Sequence, residues 1–233
     1  MADSPAALAV NRSNVAAVIP AYCEEKHVGE VVRRTRAQLD HVLVIDDGSA
    51  DQTAAQAREA GADVVVHERN LGKGESIMTG LRYWLDRGLH HVIVLDADGQ
   101  HLPEEIVRFL AAAQGGAQLL VGTRMNDVRD MPRVRRFVNR WMSQQISRVC
   151  GQEVPDTQCG FRMLSAAVIP HLLDGAARFD YETEMLFVAS RNGFKIGAVP
   201  ISTVYSDEVS SIHPVRDTIR FFKLMRRYKR MSR

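Results

Sequence analysis

The stretch His91-Val-Ile-Val-Leu95 is followed directly by Asp96-Ala-Asp98-Gly-Gln100-His101. The apolar run predicts a buried β-strand, and two carboxylates one residue apart leave its carboxyl end. Such a pair can converge on one cation where the chain turns, and hard oxygen ligands suit Mg²⁺ or Mn²⁺. Asp98 is also suited to cap a following helix, so the stretch alone leaves both roles open. It is not an EF-hand, because His101 stands where that loop requires glycine.

Four more apolar runs repeat this arrangement and predict strands at residues 15–19, 42–45, 64–66 and 119–121. Helical patterns lie between them, at residues 28–39, 51–60, 75–87 and 103–113. Continuous apolar strands alternating with helices predict an α/β fold, a mostly parallel sheet with helices on both faces. The second half is less regular, with helices predicted from about 134 and over 180–192, and a strand-like run at 196–204 that is interrupted by Pro200.

Polar side chains follow each of the five predicted strands. In chain order they are Tyr22 and Glu24, Asp46 and Asp47, Asn70 and Lys73, Asp96 and Asp98, and Arg124. Binding sites of parallel sheets lie beyond the carboxyl ends of the strands, so we expect these side chains to share one rim.

Two of these clusters fit the recognition of a nucleotide. Asp46-Asp47-Gly-Ser49 places two acids at a strand end, where one can bind a ribose or base and the other can approach a metal. A simple turn with Ser49 or Asp51 capping the next helix is the alternative, and the two roles can coexist. Asn70-Leu-Gly72-Lys73-Gly74 precedes a helix and offers backbone N–H groups and a positive charge to an anion. It is not a Walker P-loop, because its first glycine and its Ser/Thr are missing.

Composition excludes several classes of protein. The 233 residues are 45% hydrophobic and 25% charged, which is typical of a globular protein rather than a disordered one. The formal charge of +2 is too small for a general nucleic-acid binder, so we expect no nucleic acid partner. Three widely spaced cysteines argue against a disulfide framework, and no apolar run is long enough to span a bilayer.

In this order and spacing, the motifs resemble family 2 glycosyltransferases of the GT-A fold. The motifs that carry the resemblance are Val18-Ile-Pro20-Ala-Tyr22-Cys-Glu24-Glu25, Asp46-Asp47-Gly-Ser49, Asn70-Leu-Gly72-Lys73-Gly74 and Asp96-Ala-Asp98-Gly-Gln100-His101. Gly122-Thr-Arg124, Gln158-Cys-Gly160-Phe-Arg162 and Asp180-Tyr-Glu182-Thr-Glu184-Met185 look like the dolichol-phosphate mannose synthase branch. The resemblance covers residues 15 to about 212.

The resemblance implies a metal-dependent, inverting transfer of a sugar from a nucleoside-diphosphate sugar, such as GDP-mannose or a UDP-hexose. The residues expected at the donor are Pro20, Ala21, Tyr22, Glu24, Asp46, Asp47, Lys73 and Asp96. The ligands implied for Mg²⁺ or Mn²⁺ are Asp96, Asp98 and Gln100. The implied acceptor is a polyprenyl or dolichyl phosphate, and the sequence leaves open whether the chain forms a homo-oligomer.

An arginine-rich segment between Arg124 and Arg148 is the candidate site for the acceptor phosphate, because arginine contacts phosphate through two N–H groups. In the proteins that this chain resembles, an arginine in the position of Arg124 and an arginine on the following helix bind the acceptor phosphate. Arg135 with Asn139, or Arg136 with Arg140, lie one helical turn apart. A solvated basic helix face is the alternative.

Asp156 and Arg162 flank a segment that looks like the acceptor-side loop of the family. Asp98, Arg124, Glu182 and Glu184 are the candidate catalytic residues. A phosphate acceptor is already anionic at pH 7 and needs no general base, whereas a hydroxyl acceptor does. A saccharide or small-molecule hydroxyl acceptor, with Glu182 or Glu184 as base, is therefore the first alternative. A sugar-phosphate nucleotidyltransferase is the second, although its glycine-rich N-terminal loop is absent.

We divide the chain into a flexible tail (1–14), a glycosyltransferase domain (15–212) and a basic amphipathic C-terminal helix (213–233). Within the domain, residues 15–123 form the nucleotide-binding half and residues 124–212 the acceptor-binding half. Apolar and basic stripes on the C-terminal helix suit an anionic membrane, or else pack on the domain. Together with the arginine-rich segment, this helix predicts a cytoplasmic protein held peripherally on the inner face of the membrane.

Overall fold

The computed structural model describes residues 10–124, 133–173 and 181–202, and in them seven strands form one sheet. The strands are β1 (Val15–Ala21), β2 (His41–Asp46), β3 (Asp63–Val66), β4 (His91–Val94), β5 (Leu119–Thr123), β6 (Arg162–Ser165) and β7 (Ile196–Pro200). Their spatial order is β3-β2-β1-β4-β6-β5-β7, and β6 runs antiparallel to both of its neighbours. The prediction of a mixed, mostly parallel sheet is confirmed.

Helices connect most of the strands. They are α1 (Val28–Gln38), α2 (Thr53–Glu59), α3 (Lys73–Leu85), α4 (Ile106–Ala113), α5 (Arg133–Cys150), α6 (Ile169–Leu173) and α7 (Tyr181–Arg191). A short 3-10 turn at Pro103–Glu105 leads into α4. The predicted C-terminal helix (213–233) lies outside the described residues. Within those residues, no helix combines the length and apolarity that crossing a bilayer requires.

The core of the sheet is β1, in which all seven residues are buried. It pairs with β2 on one side and β4 on the other, which explains why its sequence is continuously apolar rather than alternating. Helix α3 crosses this strand closely. Gly80 packs against Val18, and the Trp84 indole donates a hydrogen bond to the carbonyl of Ala17 at 3.1 Å.

The sheet opens between β1 and β4. The last pair of that ladder is Val18 with Val94, whereas β1 continues along β2 as far as Ala21 opposite Asp46. Pro20 lies in the part of β1 that has no partner in β4, although it is still in register with Ile45 of β2. A proline at such a position interrupts no ladder between β1 and β4. This divergence at a change of strand order creates the crevice in which open α/β sheets bind ligands.

The structure adds three local features to the sequence analysis. The predicted strand β3 is an edge strand with Val66 47% exposed, which a short β-branched run does not indicate. β6 was not predicted, since a four-residue segment that begins with Arg162 and ends with Ser165 lacks an apolar run. β7 ends at Pro200, where the predicted run is interrupted.

Residues 10–14 of the predicted N-terminal tail belong to the described part of the structure. Residues 11–14 form a turn in which the Asn14 N–H donates to the carbonyl of Asn11 at 3.3 Å. Arg12 forms a 2.7 Å ion pair with Asp40, and the Asp40 N–H donates to the carbonyl of Arg12. The rest of the predicted tail, residues 1–9, lies outside the described residues.

Gly80→Ala tests the close packing of α3 on β1. A Cβ at this position would lie 2.8 Å from Val18 Cγ2, so we expect the free energy of unfolding to fall by about 2 kcal/mol. Urea denaturation measures the change. Gly29→Ala in α1 is the matched control, because its Cβ would lie 3.5 Å from the nearest atom and should cost no stability. Equal stabilities of the two variants would contradict the close packing.

Candidate active site

A cleft of about 380 Å³ opens at the carboxyl ends of β1, β2, β3 and β4. It is lined by Pro20, Ala21, Tyr22, Glu24, Asp47, Asn70, Gly72, Lys73, Ser76, Asp96, Ala97 and Asp98. The structure thus brings together polar groups from four of the five strand ends. The lining does not include Asp46, Gln100 or Arg124.

The loop after β1 is fixed by the start of α2. The Cys23 N–H donates to Ser49 Oγ at 2.9 Å, and the Glu24 N–H donates to Thr53 Oγ1 at 2.8 Å. Cys23 has a φ of 57°, which is uncommon for a residue with a side chain. Tyr22 is left 51% exposed beside the cleft, as a side chain that would contact a flat ligand must be.

The two adjacent acids after β2 both accept backbone hydrogen bonds. Asp46 accepts from the Ser49 N–H at 3.0 Å and so closes its own turn, which is the alternative that the sequence left open. Asp47 accepts from the N–H groups of Leu71 and Gly72 at 2.9 and 2.7 Å. Asp47 therefore joins the loop after β2 to the loop that begins α3, in addition to lining the cleft.

Lys73 links three elements through its ammonium group. Its Nζ lies 2.6 Å from Asp96 Oδ1 at the end of β4 and 3.3 Å from Glu182 Oε1 at the start of α7. Burial opposes the charged form of Lys73, but the two carboxylates outweigh it and raise the pKa of the ammonium. Burial likewise disfavours ionised Asp96, but Lys73, His101 and Arg124 lower the pKa of Asp96 to about 2. This cluster therefore stays charged.

Asp98 lies in a different electrostatic environment from Asp96. Burial, reinforced by the negative charge of Asp96, raises the pKa of Asp98 above its ordinary value. One of its oxygens accepts the Gln100 N–H at 2.9 Å. The buried His101 ring accepts the Asp96 N–H at Nδ1, 3.3 Å away, and burial lowers the pKa of His101. The negative charge of Asp98 is thus less favoured by its surroundings than that of Asp96.

The segment before β6 presses against this pair. A Cβ on Gly160 would lie 2.8 Å from Asp96 Oδ2 and 3.1 Å from Lys73 Nζ, so a side chain there would displace the charged groups of this pair. The sequence indicated Gly160 only as part of a resemblance. The structure adds the physical reason, which is that the backbone passes directly over the ion pair.

Arg124 is held by a buried partner. Its Nε and Nη2 donate to the two oxygens of Asp156 at 2.7 and 3.0 Å, a two-point geometry that fixes the plane of the guanidinium. Arg124 is close enough to Asp96 to contribute to the lowered pKa of that carboxyl. Asp156 is therefore a positioning residue for Arg124 in this structure.

Arg162 has a structural environment that the sequence did not reveal. It is 1% exposed, and its guanidinium donates to the carbonyls of Cys159, Thr157 and Glu182. These contacts fasten the segment before β6 to the start of α7. Such full engagement argues against the predicted contact with a substrate and makes Arg162 a residue that positions Glu182.

The remaining predicted residues lie on α5 and α7. Arg135, Arg136 and Asn139 are positions of α5, but the side chains of the two arginines are outside the described part of the structure. Asn139 is half-buried. Glu184 is 5% exposed within α7, whereas Glu182 reaches Lys73. Glu182 is therefore the glutamate that the structure places beside the acidic pair.

The cleft fits a divalent cation whose coordination would be completed by a bound ligand. Among the described residues, no three His, Cys, Asp or Glu side chains group to hold a metal alone. Asp96 and Asp98 supply hard oxygen atoms, and a cation would stabilise the charge of Asp98, which its surroundings disfavour. Mg²⁺ commonly takes one or two carboxylates together with substrate phosphates, which is the set available here. Gln100 contributes its backbone N–H to Asp98 rather than lining the cleft.

Lys73→Met tests whether the ammonium competes with a cation for Asp96. Removing the 2.6 Å ion pair should strengthen Mn²⁺ binding in the absence of nucleotide by about tenfold. Electron paramagnetic resonance of free Mn²⁺ measures the affinity. Lys195→Met, which removes an exposed lysine before β7, should leave it unchanged. Unchanged or weaker Mn²⁺ binding to Lys73→Met would contradict this competition.

Comparison with known proteins identifies close sequence relatives. A polyprenol monophosphomannose synthase of Mycolicibacterium smegmatis is 31% identical over 199 residues, covering 79% of this chain and 75% of that protein. A UDP-N-acetylglucosamine–dolichyl-phosphate N-acetylglucosaminyltransferase of Methanococcus voltae is 29% identical over 214 residues, covering 82% and 85%. An uncharacterized protein of Methanocaldococcus jannaschii is 30% identical and covers 85% and 84%.

Solved structures agree on the fold. Glucosyl-3-phosphoglycerate synthase from Mycobacterium tuberculosis, in complex with Mn²⁺, UDP-glucose and phosphoglyceric acid, superposes with a TM-score of 0.69. It is 20% identical, and the match covers 92% of this chain and 77% of that chain. At this identity the likeness concerns the fold alone, and it confirms the predicted GT-A architecture.

The family assignment rests on the larger part of the chain. The sequence profile described as Glycosyl transferase family 2 matches residues 16–173, which include β1 to β6 and the cleft between them. The predicted enzyme class is therefore confirmed. This chain belongs to glycosyltransferase family 2.

Proposed function

We propose that the protein transfers a sugar from a nucleoside-diphosphate sugar to a polyprenyl phosphate, with a divalent metal ion at Asp96 and Asp98. The observation that carries the proposal is the acidic pair lying in the cleft beside Lys73, at the carboxyl end of β4. The relatives from Mycolicibacterium and Methanococcus are named for polyprenol and dolichyl phosphate, which supports the acceptor class.

The donor occupies the cleft in this proposal. Tyr22 and Glu24 follow β1 beside the opening of the sheet and meet the nucleoside, together with Pro20 and Ala21. The N–H groups that begin α3 and the ammonium of Lys73 face the diphosphate, because a helix amino terminus favours negative charge. Asp96 and Asp98 hold the metal ion, which when bound neutralises charge on the departing nucleoside diphosphate.

The acceptor phosphate approaches Arg124 in this proposal. Its guanidinium is oriented by the buried Asp156 and lies near Asp96, so an anion beside it would be close to the donor. Arg135, Arg136 and Asn139 on α5 remain proposed additional contacts. Two anionic substrates repel each other, and fixed arginine charges lower that cost without reorganisation during the reaction.

A phosphate acceptor explains why no free base is needed. Glu182 is tied to Lys73 and Glu184 is buried, whereas a phosphate monoester is already anionic near pH 7. The residues of this chain then act by orientation and charge. A hydroxyl acceptor with Glu182 as general base is the second candidate, favoured by the position of Glu182 beside the acidic pair. Because the chain belongs to glycosyltransferase family 2, the nucleotidyltransferase alternative is no longer favoured.

We also propose that the protein associates peripherally with the cytoplasmic face of a membrane. Two of the relatives are named for polyprenol and dolichyl phosphate, and the long hydrocarbon chain of such a phosphate belongs in a bilayer. The C-terminal helix that would bind the surface lies outside the described residues.

Transfer assays with labelled donors test the acceptor and the metal together. GDP-mannose, UDP-glucose and UDP-GlcNAc are each supplied with a polyprenyl phosphate in detergent and Mg²⁺ or Mn²⁺. We expect one donor to give an organic-soluble, acid-labile lipid product, and chelation with EDTA to abolish it. Label that enters only a saccharide or another hydroxyl compound would contradict the polyprenyl phosphate acceptor and favour the second candidate.

Asp98→Asn tests the metal site with little change of shape. The amide oxygen can still accept the Gln100 N–H, but the charge is lost, so we expect kcat/KM to fall at least about 100-fold. Asp86→Asn, an exposed acid at the end of α3, should retain wild-type activity. Full activity of Asp98→Asn would contradict the assignment of the metal to this pair.

A further inference from the structure

We infer that His67 is a positioning residue for donor binding, acting through Asp47 on the loop that begins α3. The inference rests on the proposed function, because it concerns how the same cleft receives a nucleoside diphosphate. His67 is not one of the residues that line the cleft, so its effect on a ligand would be indirect.

His67 bridges the loop after β2 to α3. Its Nδ1 lies 2.7 Å from Asp47 Oδ1, and its Nε2 lies 3.1 Å from Thr79 Oγ1 in α3. Its backbone N–H donates to the carbonyl of Asp46 at 2.9 Å, which extends the β2–β3 ladder by one residue. An ionised carboxylate only accepts hydrogen bonds, so the imidazole donates to Asp47. Backbone and side chain together therefore fix the ring.

Asp47 passes this constraint to the loop before α3. Its Oδ1 accepts from both His67 and the Leu71 N–H, and its Oδ2 accepts from the Gly72 N–H. Asp47 is 3% exposed, and a buried carboxylate is costly unless its oxygens are satisfied. Three donors from two segments satisfy it, so a change in its orientation would disturb all three contacts.

The loop held in this way sets the position of Lys73. Gly72 precedes α3 with a φ of 94°, a conformation that glycine adopts without strain. Its carbonyl accepts the Ser76 N–H at 3.2 Å, the first hydrogen bond of the helix. Lys73 is the first residue of α3 and reaches Asp96. The path from His67 through Asp47 and Gly72 therefore ends at the charged group that faces the donor.

The location of His67 makes stability a necessary second measurement. His67 follows the edge strand β3, but its side chain is only 9% exposed. It makes polar contacts to Asp47 and Thr79. Loss of the imidazole should loosen the loop, so affinity and stability are compared in the same variants.

Nucleoside diphosphate binding tests the inference without the acceptor. UDP and GDP are each titrated calorimetrically into the full chain with Mn²⁺. For His67→Ala we expect the tighter of the two to bind about tenfold more weakly, because the loop N–H groups lose their fixed acceptor. His67→Asn should recover most of that affinity, because the amide Nδ2 lies close to the position of the imidazole Nδ1 and can donate to Asp47.

Matched variants identify the cause of any loss. His91→Ala, at the amino end of the central strand β4, should bind the nucleotide like the wild type. Thr79→Val removes only the outer contact and should weaken binding less than His67→Ala. Urea midpoints are measured for all variants, since a purely structural role predicts that affinity follows stability and that asparagine gives no specific recovery.

Two results would overturn the inference. One is wild-type affinity in a folded His67→Ala variant, and the other is equal loss in His67→Ala and His67→Asn at equal stability. If His67→Ala does not fold, wild-type affinity in both Thr79→Val and a folded His67→Gln overturns it in the same way. A wild-type chain that binds neither UDP nor GDP would instead contradict the proposed function itself.

Discussion

The ion pair between Lys73 and Asp96 joins the parts of the molecule on which the candidate site depends. It connects the first residue of α3 to the end of β4 across the opening of the sheet, and Glu182 extends it to α7. Gly160 lies so close to the pair that a side chain would displace the charged groups. Four segments that are distant in the sequence are therefore held around one charged centre.

Buried polar contacts on either side keep this centre in place. Asp47 holds the loop before α3 through two backbone N–H groups, and Asp156 orients Arg124 through two hydrogen bonds. Arg162 fastens the segment before β6 to α7 through carbonyl oxygens. In each case one buried charged side chain forms several hydrogen bonds. These hydrogen bonds offset the free-energy cost of burying the charge and also fix the geometry.

The sequence predicts the parts of the fold that depend on continuous apolar runs. β1, β2, β4 and β5 are strands of this kind, and the acids that follow β4 mark the rim correctly. β6 was not predicted because Arg162 occupies its first position. The strands that pair with β6, β4 and β5, lie far away in the chain. The exposure of β3 is set by its place at the edge of the sheet, which a local pattern does not encode.

The same distinction applies to the site. Residue type and spacing identify Asp96, Asp98 and Lys73, because their chemistry lies in the side chain itself. They do not reveal that Asp46 closes its own turn or that Arg162 is buried, because these roles depend on which carbonyl or N–H group lies opposite. His67 carries no motif at all, and only its distances to Asp47 and Thr79 indicate a role.

Anomalous diffraction from crystals grown with Mn²⁺ and a nucleoside diphosphate tests the central claim most directly. The account predicts a manganese peak bonded to the Asp98 carboxylate and to the diphosphate, with the nucleoside beside Tyr22. A nucleotide bound in the cleft with no metal at Asp96 or Asp98, or bound elsewhere on the protein, would contradict it.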